Sequence, residues 1–155
     1  MSAFAPTRAA LAVALVVLAA LSAAPNVARA ADEDVVTKMS AARIERIMNS
    51  FNDVKNFKEL DDGTYSFETG GLKVVVFNKG DSLQLFAGFA GKATLSRINE
   101  WNRTKRFTRA YTTEKGEPVL ESDLELTGGV TEKNVKEWMK TYVLCLKAFK
   151  KHLEE

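Results

Sequence analysis

The chain has 155 residues, with 22 lysines and arginines against 20 aspartates and glutamates. It contains one cysteine, Cys145, which excludes an internal disulfide. Its one histidine, His152, has no second imidazole with which to form a metal site or a catalytic pair.

The first thirty residues have the three parts of a secretory signal peptide. Arg8 provides the positive start, residues 11–21 are an unbroken apolar run, and residues 28–30 (Ala-Arg-Ala) match the small-x-small cleavage pattern. Eleven apolar residues fall short of the roughly 20 that span a bilayer, which argues against a stable membrane anchor. We expect cleavage after Ala30 and a periplasmic or secreted product, residues 31–155, that forms a single domain.

Cleavage there would also change the charge balance. Arg8 and Arg29 would leave with the leader, so the mature chain would carry 20 basic and 20 acidic residues. A neutral domain gives no global reason to expect nucleic acid as a partner.

The first part of the mature chain predicts a helix and a run of strands. Residues 31–35 resemble a frayed acidic start, and residues 40–51 have the apolar spacing of an amphipathic helix. Alternating or wholly apolar segments between turn residues then predict four strands, at 57–60, 64–68, 74–77 and 83–89. Because residues 74–77 are apolar at every position, we expect a central strand that is covered on both faces.

A second helix is predicted to begin near Thr94, with Leu95, Ile98, Trp101 and Asn102 on its inward side. Two strands follow, at 107–113 and 120–126. A three-residue loop at 114–116, with Gly116 in the left-handed region, would place Arg109 opposite Glu121. A two-residue turn at 115–116 would send Arg109 inward, where an unpaired charge is costly, so we favour the longer loop.

A third helix is predicted to begin at Thr131 and to keep one apolar stripe to its end, with Trp138 in the core and Cys145 beside the stripe. The predicted fold class is therefore α+β. It consists of an antiparallel sheet of about five to six strands with flanking helices, in the order α-β-β-β-β-α-β-β-α.

Few residues in the sequence point to a reaction. His152 lies in the last turn of the third helix, and Cys145 has no neighbouring base to activate it. The acidic face formed by Glu121, Asp123 and Glu125 is interpreted as a solvated strand face, because the loop and carbonyl groups of a calcium site are not visible. We predict no catalytic, cofactor-binding or metal-binding residues and no cofactor.

The segment 97–109 is dense in cations, and two interpretations remain open. Its arginines can be the solvated end of a helix whose stems cover apolar surface. Alternatively, Trp101, Arg103, Arg106 and Arg109 form a docking patch for an acidic protein surface. That surface could be the acidic face of a second copy, in a homodimer.

The block 99–130 also resembles a known family. It holds a Trp-Asn pair at a helix end, Arg106-Phe107, a hairpin centred on a glycine, the leucine and acid strand, and a Gly-Gly pair. These features are similar to the YbjN family of bacterial sensory transduction regulators, whose fold resembles the type III secretion chaperones. The resemblance implies the same succession of elements and a regulatory or chaperone-like protein that binds a protein partner without catalysis. The alternative is a small-ligand-binding protein or an enzyme with a pocket between sheet and helices.

Overall fold

The computed structural model describes residues 35–155, and the predicted leader lies outside this range. The elements in chain order are β1 (Val35–Val36), α1 (Ala41–Asn49), β2 (Lys55–Asp61), β3 (Thr64–Thr69), β4 (Leu72–Asn78), β5 (Ser82–Gly88), α2 (Leu95–Thr104), β6 (Arg109–Thr112), β7 (Pro118–Glu125), β8 (Val130–Thr131) and α3 (Glu132–Glu154). The fold is α+β, which confirms the predicted class and the predicted order from α1 to α3, with β1 and β8 added.

The main sheet has six antiparallel strands in the order β2-β3-β4-β5-β7-β6. Because β7 pairs with β5, β6 is left at the outer edge beside α2. A separate two-stranded sheet joins β1 to β8. The predicted frayed start is wrong for its last residue, because Val35 belongs to β1. Its neighbour Val36 is buried.

Each helix begins at a residue whose hydroxyl accepts a hydrogen bond from the amide three positions later. These N-caps are Ser40, Thr94 and Thr131, and the last two are as predicted. None of the helices within residues 35–155 is long and apolar enough to cross a membrane.

The three helices pack on one side of the sheet, which we call the inner face. Alternate strand residues such as Phe67, Val74 and Leu85 form a single core with the apolar faces of α1, α2 and α3. Within it, the rings of Trp101 and Phe149 join α2 to α3, with their centroids 4.9 Å apart.

The opposite side of the sheet, the outer face, carries apolar side chains without a helix above them. Val75, Phe77 and Phe86 point to this side and are only half-buried. The rings of Phe77 and Phe86 meet edge to face, with centroids 6.3 Å apart. The prediction that the segment 74–77 is covered on both faces is therefore wrong, because all three helices lie on the inner face.

The β6–β7 hairpin has the predicted three-residue loop. Gly116 has a φ of 80°, and Arg109 lies opposite Glu121. The strand itself begins two residues later than predicted, because Phe107 has a φ of 72° and interrupts the extended backbone.

Candidate protein-docking surface

The segment between α2 and β6 is held against the domain by side chains from three elements. The Trp101 indole donates a hydrogen bond to the Thr108 hydroxyl over 3.2 Å. The Ser122 hydroxyl of β7 donates to the Phe107 carbonyl over 2.8 Å, and it accepts a hydrogen bond from the Trp138 indole. These contacts fix the course of the backbone through residues 107 and 108.

Trp101 does not belong to the surface of the predicted patch. Its side chain is 1% exposed and packs against Phe149 and His152. The expectation that Trp101 forms part of a docking patch is therefore wrong. The periodicity of α2 had already placed Trp101 on the inward side, and the core covers the whole ring.

The cations of the predicted patch fall into two groups. Arg103, Lys105 and Arg106 are exposed, and we call these three residues the basic surface. They form no ion pair with any residue that the structure describes. Arg109, in contrast, pairs with Glu121, and that hydrogen bond and charge raise the pKa of its guanidinium. Its charge is thus neutralised within the domain.

Phe107 lies next to the basic surface, and the sequence analysis did not identify it as an exposed residue. Its side chain is 71% exposed, and its backbone is left-handed, which is unusual for a bulky residue. The sequence analysis treated Phe107 as the start of a strand. Only its position between Arg106 and Arg109, just before the strand, could have indicated that it lies outside the sheet.

The predicted acidic face is divided in the structure. Glu121 is only 3% exposed, because the guanidinium of Arg109 and the ring of Tyr111 lie over this part of the sheet. Its assignment to a solvated face is therefore wrong. Asp123 and Glu125 are exposed as expected, and they accept hydrogen bonds from the Gln84 amide and the Thr127 backbone N–H.

Comparison with known proteins places the chain in a family. The family model YbjN, described as "Putative bacterial sensory transduction regulator", matches residues 40–155. The chain belongs to the YbjN family. A search of curated proteins finds no match. Among solved structures, the complex of ExoT with SpcS from Pseudomonas aeruginosa aligns with a TM-score of 0.47 and 14% identity, over 59% of this chain and 81% of that one.

The remaining candidates for chemistry in this YbjN domain have structural contacts. His152 Nε2 lies 2.9 Å from the Arg97 carbonyl, and the Arg97 guanidinium donates to the His152 carbonyl, so the pair joins α2 to the end of α3. Cys145 is half-buried, its thiol donates weakly to the Arg106 carbonyl, and burial raises its pKa. No cluster of three potential metal ligands occurs within residues 35–155.

Two depressions on the surface of the YbjN domain are lined by charged side chains. One of about 500 Å³ lies at the β3–β4 turn and is lined by Asp53 and Glu68. The pKa of Asp53 is lowered, chiefly by a hydrogen bond from Lys147, whereas a general acid at neutral pH needs a raised pKa. A smaller depression of about 220 Å³ lies between α2 and α3, with Lys105 and Lys151 in its lining.

Proposed function

We propose that this YbjN domain is an exported, non-catalytic module that acts by binding another protein through the basic surface. The observation that supports the proposal is that the three cations of the basic surface are exposed and have no acidic partner within residues 35–155. Arg103, Lys105 and Arg106 are exposed next to one another, and none has an acidic partner among the described residues. Their charge is therefore available to a partner.

Cations in this arrangement suit recognition better than chemistry. Complementary surface charges raise the rate of association and select among partners, while each exposed pair adds only about 0–1 kcal/mol. The contacts of His152 and the raised pKa of Cys145 favour structural roles for the two side chains most able to take part in catalysis. The family's description as a regulator agrees with such a module.

Reversing two charges tests the proposal. The variant Arg103→Glu with Arg106→Glu should keep its melting temperature, because both side chains are exposed and neither has an ion pair within residues 35–155. The tagged variant should capture fewer of the periplasmic proteins that the tagged wild type captures, and the difference should be larger at low salt. Mass spectrometry of the captured proteins measures the difference.

Lys38→Glu with Lys115→Glu is the matched control, since it makes the same change in net charge at two exposed lysines outside the basic surface. The control should retain the captured proteins. If wild type, test variant and control capture the same set, the basic surface is not a docking site.

The proposed export of the protein has a separate test. Cleavage after Ala30, which the pattern at residues 28–30 favours, would leave Ala31 as the first residue of the cellular protein. Mass spectrometry of the protein from fractionated cells should find this N-terminus in the periplasmic fraction. An intact Met1 in the cytosolic fraction would contradict export.

A further inference from the structure

We propose that a depression on the outer face, near the β2 edge of the sheet, binds the carboxylate of a small molecule. The Ser66 hydroxyl lies at the floor of this depression, and Lys58 and Lys73 line its sides. β2 and β6 are at opposite edges of the main sheet, and the basic surface precedes β6. The inference therefore goes beyond the proposed function, because it adds a second site for a ligand that is not a protein.

The depression has a volume of about 370 Å³ and is lined by residues of β2, β3 and β4. Binding sites for small molecules have volumes of about 300–1,000 Å³. Between its pairs with Glu68 and Ser66, β2 has two residues and β3 has one, which is a β-bulge. Asn56 lies in this bulge with a φ of 55°, a left-handed conformation that asparagine tolerates. The depression is thus found where the strand pairing is interrupted.

Ser66 is 2% exposed, although it points to the outer face, which the three helices do not cover. The longer side chains of Lys58 and Val75 lie on either side of it in the register. The Ser66 hydroxyl forms no hydrogen bond with any residue from 35 to 155. Every fully enclosed polar side-chain atom in that range has a partner, so this hydroxyl is open to the depression. Because buried polar groups are normally hydrogen-bonded, it is a donor that a ligand can use.

Two lysines on the same face are close to this hydroxyl. Lys58 lies directly opposite Ser66 in the register, a position in which the Cβ atoms are about 5 Å apart. Lys73 is diagonal to Ser66, at about 7–8 Å, because it precedes Val75 by two residues. Both lysines are exposed, and neither has an ion pair within the described part of the chain. An anion in the depression would meet two ammonium groups and a hydroxyl.

Glu68 determines the net charge of the depression. It lies opposite Lys73 in the register, yet its carboxylate accepts a hydrogen bond from the Asn56 amide over 2.9 Å. The lining contains two lysines and one glutamate, so its net charge is 2 − 1 = +1. This charge matches a carboxylate better than a phosphate group, which carries about two negative charges at neutral pH. The two oxygens of a carboxylate can accept hydrogen bonds from the hydroxyl and from both ammonium groups.

Titration with sodium acetate tests the site. In NMR spectra of the ¹⁵N-labelled protein, the amide signals of Lys58, Ser66 and Lys73 should shift and then saturate. The dissociation constant should be in the millimolar range, because the probe is so small. Acetamide, which has the same shape without the charge, and sodium chloride at equal ionic strength should not shift these signals. Equal shifts with acetate and with either control would overturn the proposal. Tighter binding of inorganic phosphate than of acetate would overturn the assignment to a carboxylate.

Substitution of Ser66 separates binding from folding. Ser66→Ala should raise the dissociation constant of acetate about tenfold, because a hydrogen bond to a charged group is lost. Its melting temperature should not fall, since the hydroxyl has no partner within residues 35–155. Ser82→Ala is the matched control, because Ser82 is on the same face in β5 and its hydroxyl donates to Asp81. The control should bind acetate as the wild type does. An unchanged affinity in Ser66→Ala would overturn the inference.

Charge substitutions should have effects of opposite sign. Lys58→Gln and Lys73→Gln should each weaken acetate binding, whereas Glu68→Gln should strengthen it, because the net charge of the lining rises from +1 to +2. Lys79→Gln is the control for the lysine variants. Its ammonium group lies over the Phe77 ring and does not line the depression, so the affinity should stay unchanged. Weaker binding in all of these variants, including Glu68→Gln, would show that the lining has only a structural role and would contradict the inference.

The site and the proposed function can fail independently. Arg103→Glu with Arg106→Glu should bind acetate as the wild type does, because neither arginine lines the depression. Ser66→Ala should capture the same periplasmic proteins as the wild type. If the arginine variant loses acetate binding, the anion is bound at the basic surface and the inference is wrong.

Discussion

Replacing Trp101 by alanine is expected to lower the free energy of unfolding by about 3–5 kcal/mol, the range for deleting a large buried aromatic side chain. Trp101 is 1% exposed and contacts Phe149 from α3. Its indole also holds Thr108, so the substitution removes a core contact and a support of the segment before β6. Such a loss is a large part of the roughly 5–15 kcal/mol that keeps a small domain folded.

Trp138→Ala is the comparison for this experiment. Trp138 was predicted to be core, and it packs against the core while remaining half-buried, with its indole bonded to Ser122. Less apolar area is lost there, so its cost should be smaller. Denaturant unfolding followed by circular dichroism measures both variants, and the chain's two tryptophans leave one fluorescent reporter in each. If Trp138→Ala is the more destabilised variant, the packing of α2 described above is wrong.

Asn102→Leu is expected to cost about 2–4 kcal/mol, although it removes no large apolar contact. The Asn102 amide donates to the Ala110 carbonyl and accepts from the Ala110 N–H, each over 2.9 Å. Ala110 is buried at the edge of the sheet, where these groups have no further strand to pair with. Leaving a buried polar group unpaired costs about 1–3 kcal/mol, and leucine leaves two in that state.

Asn99→Leu is the matched control, since it makes the same substitution at an exposed position on the same helix. It should change the unfolding midpoint little. Hydrogen exchange adds a local measurement, because the Ala110 amide should exchange faster in Asn102→Leu. Equal midpoints for the two variants would show that the amide contacts of Asn102 contribute nothing to stability.

The elements with strong local signals could be predicted from the sequence. The apolar stripe predicted α3, and the choice between two hairpin loops followed from the cost of burying Arg109 without a partner. β1 and β8 could not be found, because two residues are too few to show an alternation. Their pairing depends on contacts between distant parts of the chain.

The candidate site was predicted less well, for a physical reason. Parity along a strand gives the direction of a side chain but not what lies above it. Glu121 points to the outer face as predicted, yet Arg109 and Tyr111 cover it. Phe107 was misplaced because its backbone has a φ of 72° and its carbonyl accepts a hydrogen bond from Ser122, a contact between residues distant in sequence. Arg103 and Arg106 are exposed, and this exposure needs no long-range contact, whereas their role in docking stays a prediction.

The pairing of β1 with β8 has a consequence for the order in which the chain can fold. Val35 lies opposite Thr131, so the first strand described pairs with the last. During synthesis from the amino end, β1 has no partner until almost the whole domain has been made. Closing so long a loop is entropically costly before other contacts have formed, so this small sheet should be among the last parts to assemble. Val35 and Val36 would then remain without a strand partner, and so within reach of a peptidase, until residues 130 and 131 have been made and have docked.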